Sequence, residues 1–433
     1  MEILTKMTDL MDKFLLNKEE KWKRFEGKVG RDVTDALKEW HSIFTDDVVE
    51  WLAGLYDAKI GGFYYSESAR DNATVEHGGA TYELLPDVES TNQALCFLQS
   101  ANLVDDFGGR YANALPEWMK KDIGDFVYNL QDEDGFFYHP QWGKTISVSR
   151  RGRDRAWSRS ILRNLEITPK YSDITDIGKS SAPKSIPEIP EHLSSPERFA
   201  EYLAPLDLGG HSYGVGNKLV AQADQIKALG LMDQLIKFLN ERQHPENGYW
   251  HDTPGYTAVN GLLKISGIYN IAGVPFPNAV LAARSAIEAI TSKEEFSIVT
   301  DVYNTWFAIN NLADNLRNFG GEDGAKAADK LISDVMDIAA DGMRASAKKL
   351  SRFKKPHGSF SFLRDYSSEV SQGAPVALYH SEEGDVNATL IGISGTIEFC
   401  MKTLGLADYH VPIFGRPHFE RFMEIVTESK NKA

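Results

Sequence analysis

Cysteine is nearly absent: Cys96 and Cys400 are the two in 433 residues. Both fall in apolar helical runs, LCFL and EFCM, and read as buried free thiols. Two isolated cysteines give no zinc site, and no His-x-His, His-x-x-x-His or Cys-x-x-Cys spacing occurs, so no metal is expected. No Gly-x-Gly-x-x-Gly or Gly-x-x-x-x-Gly-Lys motif occurs, so no nucleotide cofactor is expected either. Uninterrupted apolar runs are also missing. None approaches the ~18 residues of a membrane span. The first 28 residues have helical apolar spacing and no small-residue cleavage site, unlike an export signal. A cytoplasmic location, with no membrane partner, is the expectation. Surplus positive charge is lacking too. The net charge of −15 disfavours nucleic acid and anionic surfaces as partners, because both would be repelled. The expected partner is a small molecule or oligosaccharide; nothing in the sequence bears on oligomeric state.

Aromatics, by contrast, are plentiful, with eight Trp and seventeen Tyr, more polar-tipped rings than packing alone needs. They recur beside glycine: Gly61-Gly62-Phe63-Tyr64-Tyr65, Gly135-Phe136-Phe137-Tyr138, Gly248-Tyr249-Trp250 and Gly358-Ser359-Phe360. After the turn, a second motif opens an apolar helix. Asp-Val-x-x-Thr occurs at 87–91, 301–305 and 385–389. Pro254-Gly255-Tyr256 holds the register of Pro86-Asp87-Val88. A period of roughly 40–50 residues with two helices per unit marks an array of helical hairpins.

The expected fold is therefore all-α, an (α/α) toroid of about six helical hairpins forming one domain over 1–433. Closing a hairpin array into a ring removes the need for capping repeats. Residues 1–45 form an N-terminal helical extension. Residues 168–200, with Pro169, Pro183, Pro187, Pro190 and Pro196, read as an insertion or lid over one mouth.

The turns GGFYY, QDEDGFFY, NGYW and HGSFSF and the helix starts DVESTNQAL, DVYNTWFAI and DVNATLIGI resemble the terpenoid cyclase and protein prenyltransferase-like α/α toroids and the related six-hairpin carbohydrate enzymes. The resemblance covers about residues 45–406. It implies a cavity ringed by the inner-helix starts, and it leaves the chemistry open, since such toroids host lyases, hydrolases, cyclases and transferases. Asp87-Val88-Glu89-Ser90 departs from the Asp-x-Asp-Asp acid of the cyclases, and Cys96 and Cys400 do not match the zinc site of the prenyltransferases.

In such a ring the residues at helix starts converge. Asp87, Glu89 and Asp154 are the candidate general acid and base, since a pair of carboxylates is what glycoside hydrolysis requires. Capping the helix start is the competing role for Asp87, Asp301 and Asp385. His211 and Tyr213, in GGHSYG, are the candidates for proton transfer in an elimination. Arg153 belongs to the one basic cluster, 150–155, which is either a solvated surface or a cradle for a substrate carboxylate. Arg70, His77, Tyr82, His139, Trp142, Trp250, Tyr256 and Tyr303 complete the candidate substrate-binding set. The functional expectation is cleavage of glycosidic bonds in oligosaccharides, including uronic-acid-containing ones, by carboxylate acid/base hydrolysis. The alternatives are a lyase using Tyr or His with Arg, a terpenoid-cyclase-like enzyme and a non-catalytic binding toroid.

Overall fold

Each glycine of the four aromatic turns holds a positive φ: Gly61 at 85°, Gly135 at 90°, Gly248 at 75° and Gly358 at 72°. That conformation is nearly free for glycine and costly for other residues. Space is the second reason for glycine. A Cβ on Gly61 would run into the Asp122 carbonyl, one on Gly135 into Ser172, one on Gly248 into Ala282 and one on Gly358 into Thr45. The first three thus lean on a segment that follows in the chain, and the fourth leans on a segment near the beginning.

The computed structural model describes residues 2–179 and 185–432. Helix makes up 62% of it, and the strands are few and short. The main helices are α1 (Glu2–Val29), α2 (Arg31–His41), α3 (Asp47–Gly54), α4 (Val88–Ser100), α5 (Glu117–Asn129), α6 (Val148–Asn164), α7 (Pro196–Leu203), α8 (Leu208–Val220) and α9 (Met232–Asn240). They continue as α10 (Tyr256–Ala272), α11 (Ala279–Ile290), α12 (Thr300–Phe319), α13 (Gly321–Met336), α14 (Ala339–Leu350), α15 (Val386–Leu390), α16 (Thr396–Thr403) and α17 (Arg416–Lys432). A π-helical turn, Ile391–Gly395, joins α15 to α16. The strands form three antiparallel pairs: β1 (Tyr56–Asp57) with β2 (Gly62–Phe63), β3 (Thr74–His77) with β4 (Ala80–Glu83), and β5 (Val370–Ser371) with β6 (Ala374–Pro375).

Six helical segments succeed one another as neighbours. Helix α4 packs on α6, α6 on α8, α8 on α10, α10 on α12 and α12 on α16, while α15 returns to α4. The other long helices pack outside this succession: α5 on α6, α11 on α12, α14 on α2 and α17 on α3. The apolar core lies between the two sets, with Trp40, Trp250, Trp306, Phe63 and Phe199 fully buried. Among the described residues, no helix is long and apolar enough to cross a membrane.

The Asp-Val-x-x-Thr motif fastens turn to helix. The Phe63 N–H donates to Thr91 Oγ1 at 3.0 Å, and the Phe360 N–H donates to Thr389 Oγ1 at the same distance. Asp87 and Asp385 cap their helices, accepting from the N–H groups of Glu89 and Ser90 and of Ala388. The middle copy differs. Asp301 lies inside α12, and its carboxylate turns back to the N–H groups of Ser297 and Ile298 and to Asn260 Nδ2.

Of the 168–200 insertion, residues 180–184 lie outside the described residues. The described part braces α6: Asp173 pairs with Arg155 at 2.8 Å and with Arg159 at 3.0 Å. None of it lines the central cavity. The segment that reaches across is 363–384. Ser147 Oγ donates to the Gln372 carbonyl at 2.7 Å, and Gln141 and Trp142 both donate to the Pro375 carbonyl.

Candidate functional site

The six successive helical segments and the 363–384 segment contribute to the lining of a cavity of about 510 Å³. Beside its wall lies a buried ionic cluster. Ser147 caps α6 and starts it at Val148, earlier than the start near Asp154 that the sequence pattern gives. This early start puts the whole of the 150–155 basic run on the helix, where its arginines have two fates. Arg150 turns into the protein and is 0% exposed. Its guanidinium reaches Glu89 at 2.7 Å, Asp87 at 3.0 Å and Asp154 at 2.9 Å, and lies 4.2 Å from the centre of the Trp142 ring. Three carboxylates share one cation, so full ionisation would leave two uncompensated buried charges. Burial accordingly pushes Asp154 up to about 7, against the pull of Arg150. Burial likewise raises Asp385 to about 7, although backbone N–H groups and the Tyr65 hydroxyl bind its carboxylate.

The hydrogen-bonding capacity of these acids is largely used. Asp87 accepts from Glu89, Ser90 and Arg150. Glu89 accepts from Arg150, Gln93 and Ser371. None of Asp87, Glu89 and Asp154 lines the cavity, whereas their neighbours Gln93, Ser371 and Tyr65 do.

Arg153, one helical turn on from Arg150, has the other fate. It lines the cavity, and its Nη2 donates to Asn217 Oδ1 at 2.6 Å. Tyr213 from α8, Tyr303 from α12 and Lys264 from α10 line the same space. The Lys264 ammonium lies 5.7 Å from the centre of the Tyr213 ring. Burial, with the Arg153 charge nearby, lowers Lys264 to about 7. Among the described residues, Gln93 Oε1, Thr300 Oγ1 and Asn304 Oδ1 are buried with no hydrogen-bond partner, and all three residues line the cavity.

No family model and no curated protein matches this chain.

The structure thus brings Arg153, Tyr213 and Tyr303 together at one cavity, out of the candidates taken from the sequence. It places the others elsewhere. His211 is exposed at a kink in α8, with φ −139°. Arg70 binds Asp71, Glu67 and the Gly54 carbonyl. His77 and Tyr82 sit on the β3–β4 hairpin. His139 is buried, with Nε2 against the Pro86 carbonyl at 2.8 Å, and burial lowers it to about 4. Trp142 packs on Arg150 and bonds Pro375. Trp250 donates to the Leu239 carbonyl in the core, and Tyr256 accepts from Lys349 at 2.7 Å. The residue that sequence reasoning missed is Lys264. Its signal was present: a lone lysine in the apolar helix TAVNGLLKISGIY. Among the described residues, no group of His, Cys, Asp or Glu is arranged to hold a metal.

Proposed function

We propose that this chain is an α/α-toroid enzyme that cleaves oligosaccharides carrying a carboxylate, by β-elimination in the central cavity. The toroid reading rests on the inner helices, whose succession of neighbours returns to its start. The observation that carries the activity is a cavity onto which Arg153 and the Lys264 amine open while Asp87, Glu89 and Asp154 are bound to Arg150 and do not line it. The side chains of Gln93, Asn217, Thr300 and Asn304 line the same cavity and suit a ligand rich in hydroxyl groups.

In this reading Arg153, held by Asn217, binds the uronate carboxylate and makes the adjacent C5–H more acidic. The neutral amine of Lys264 takes that proton. The C5–H electron pair forms the C4–C5 double bond as the C4–O bond breaks, and the Tyr213 hydroxyl protonates the departing oxygen. Elimination is preferred to hydrolysis because the acids that hydrolysis would use are tied to Arg150 and to helix caps. The polar lining also disfavours a terpenoid-cyclase-like reaction.

The test is incubation of the protein with a panel of uronic-acid oligosaccharides, following ultraviolet absorbance of the new double bond and the new reducing ends. Both signals together are expected. Reducing ends without absorbance would restore hydrolysis. Lys264→Arg, which keeps the charge but cannot deprotonate, is expected to lose turnover by about 10²-fold or more. A second reading, a non-catalytic binding toroid, is favoured by the occupation of the helix-start acids Asp87, Asp301 and Asp385. Saccharide binding by calorimetry with no turnover would establish it.

A further inference from the structure

Among the described residues, Lys349 and Lys264 are two lysines drawn away from solvent and built in opposite ways. Lys349 donates to the Tyr256 hydroxyl at 2.7 Å and to the carbonyls of Ile290 at 2.8 Å and Ala289 at 3.4 Å. Its three N–H groups all have acceptors, as an ammonium requires. Lys264 has no hydrogen bond or ion pair among the described residues; its neighbours are the Tyr213 ring and the cation of Arg153. It is half-buried and opens onto the cavity. A charged Lys264 would therefore be poorly compensated, and the neutral amine is the form that this setting favours.

We propose that Lys264 is a reactive amine that forms an imine with 2-oxo acids, with Arg153 holding the carboxylate beside the carbonyl. The Lys264 nitrogen lone pair attacks the ketone carbon. The carbonyl electrons move to oxygen, which takes the proton that the nitrogen loses, giving a neutral carbinolamine. Loss of water then leaves the carbon–nitrogen double bond. A 2-oxo acid fits because it offers a carboxylate to Arg153 and a carbonyl to Lys264, which line the same cavity. The inference uses the same cavity as the saccharide reading but does not depend on elimination.

The whole protein is incubated with pyruvate and sodium cyanoborohydride at neutral pH, where cyanoborohydride reduces any imine to a stable secondary amine, and is then mapped by peptide mass spectrometry. The reduced adduct is expected on Lys264 ahead of every other lysine. Lys264→Arg should lose it. Arg153→Gln should slow the pyruvate adduct about ten-fold more than it slows the adduct of acetaldehyde, which has no carboxylate. Adducts spread over surface lysines in proportion to exposure, or none on Lys264, would overturn the proposal. The mapping of the unaltered protein decides this even if a variant fails to fold. Trapping at Lys264 without turnover of uronides would sink elimination alone.

Discussion

Arg150 and Glu89 meet 2.7 Å apart, and neither side chain reaches solvent. Their separation in sequence is bridged by the packing of α4 on α6, so the pair locks these two helices together. Removing the cation leaves Asp87, Glu89 and Asp154 buried without compensation. Arg150→Met is expected to cost about 3–5 kcal/mol. Urea titration should show a lower midpoint with an unchanged slope.

Asp154 is the member of this cluster that burial holds near 7. The unfolded chain ionises it near the ordinary value, so between about pH 4 and pH 7 the native state binds the proton more tightly. The stability tied to this proton is present at low pH, falls as pH rises through that window and levels off above it. Asp154→Asn removes the term. Relative to the parent, this variant should gain stability between about pH 4 and about pH 8 in denaturant titrations. Asp385, also held near 7, leaves a residual fall in both proteins. A constant difference across that range would refute the assignment.

Lys264 carries the opposite linkage. Lowered to about 7 in the native state, it is already neutral where the unfolded chain still holds the proton. Unfolding therefore takes up a proton above about pH 7, and the native state gains stability from there to about pH 10. Lys264→Met should be the more stable protein near neutrality, with the gap closing as pH rises. Parallel stability curves would show that the amine titrates normally.

Two glycines with left-handed backbones separate conformation from space. Gly61, at φ 85°, abuts the Asp122 carbonyl, whereas Gly78, at φ 58° in the β3–β4 turn, has nothing within contact distance. Gly78→Ala should cost only the backbone penalty of about 1–2 kcal/mol. Gly61→Ala adds a clash with backbone, about 1–3 kcal/mol more. Melting temperatures of the two variants check the order.

The helix starts were legible because capping is local. Asp87 and Asp385 need only the next three residues to do their work, and the sequence contains them. Asp301 carries the same motif but begins one residue inside α12, so its carboxylate finds the preceding loop instead. The aromatic turns were legible for the same reason: each glycine states a backbone requirement. The site was not, since it depends on which way a helix face turns. In 150–155, Arg150 and Arg153 look equivalent as letters, yet one lies in an ion cluster and the other on the cavity. The helical phase that divides them is fixed by the Ser147 cap. Lys264 was hidden by its apolar neighbours, which mark a buried helix without saying what that helix surrounds.

The segment 363–384 crosses to the early part of the chain. Glu383 accepts from the Ser66 hydroxyl at 2.8 Å and from the Ser68 N–H at 2.8 Å, and Val386 N–H donates to the Tyr65 carbonyl. These contacts join residues more than 300 positions apart. On the ribosome, α4 emerges long before the α15 it rests against. Bringing these segments together closes a loop of more than 300 residues, and that closure carries an entropy cost that local helix formation does not.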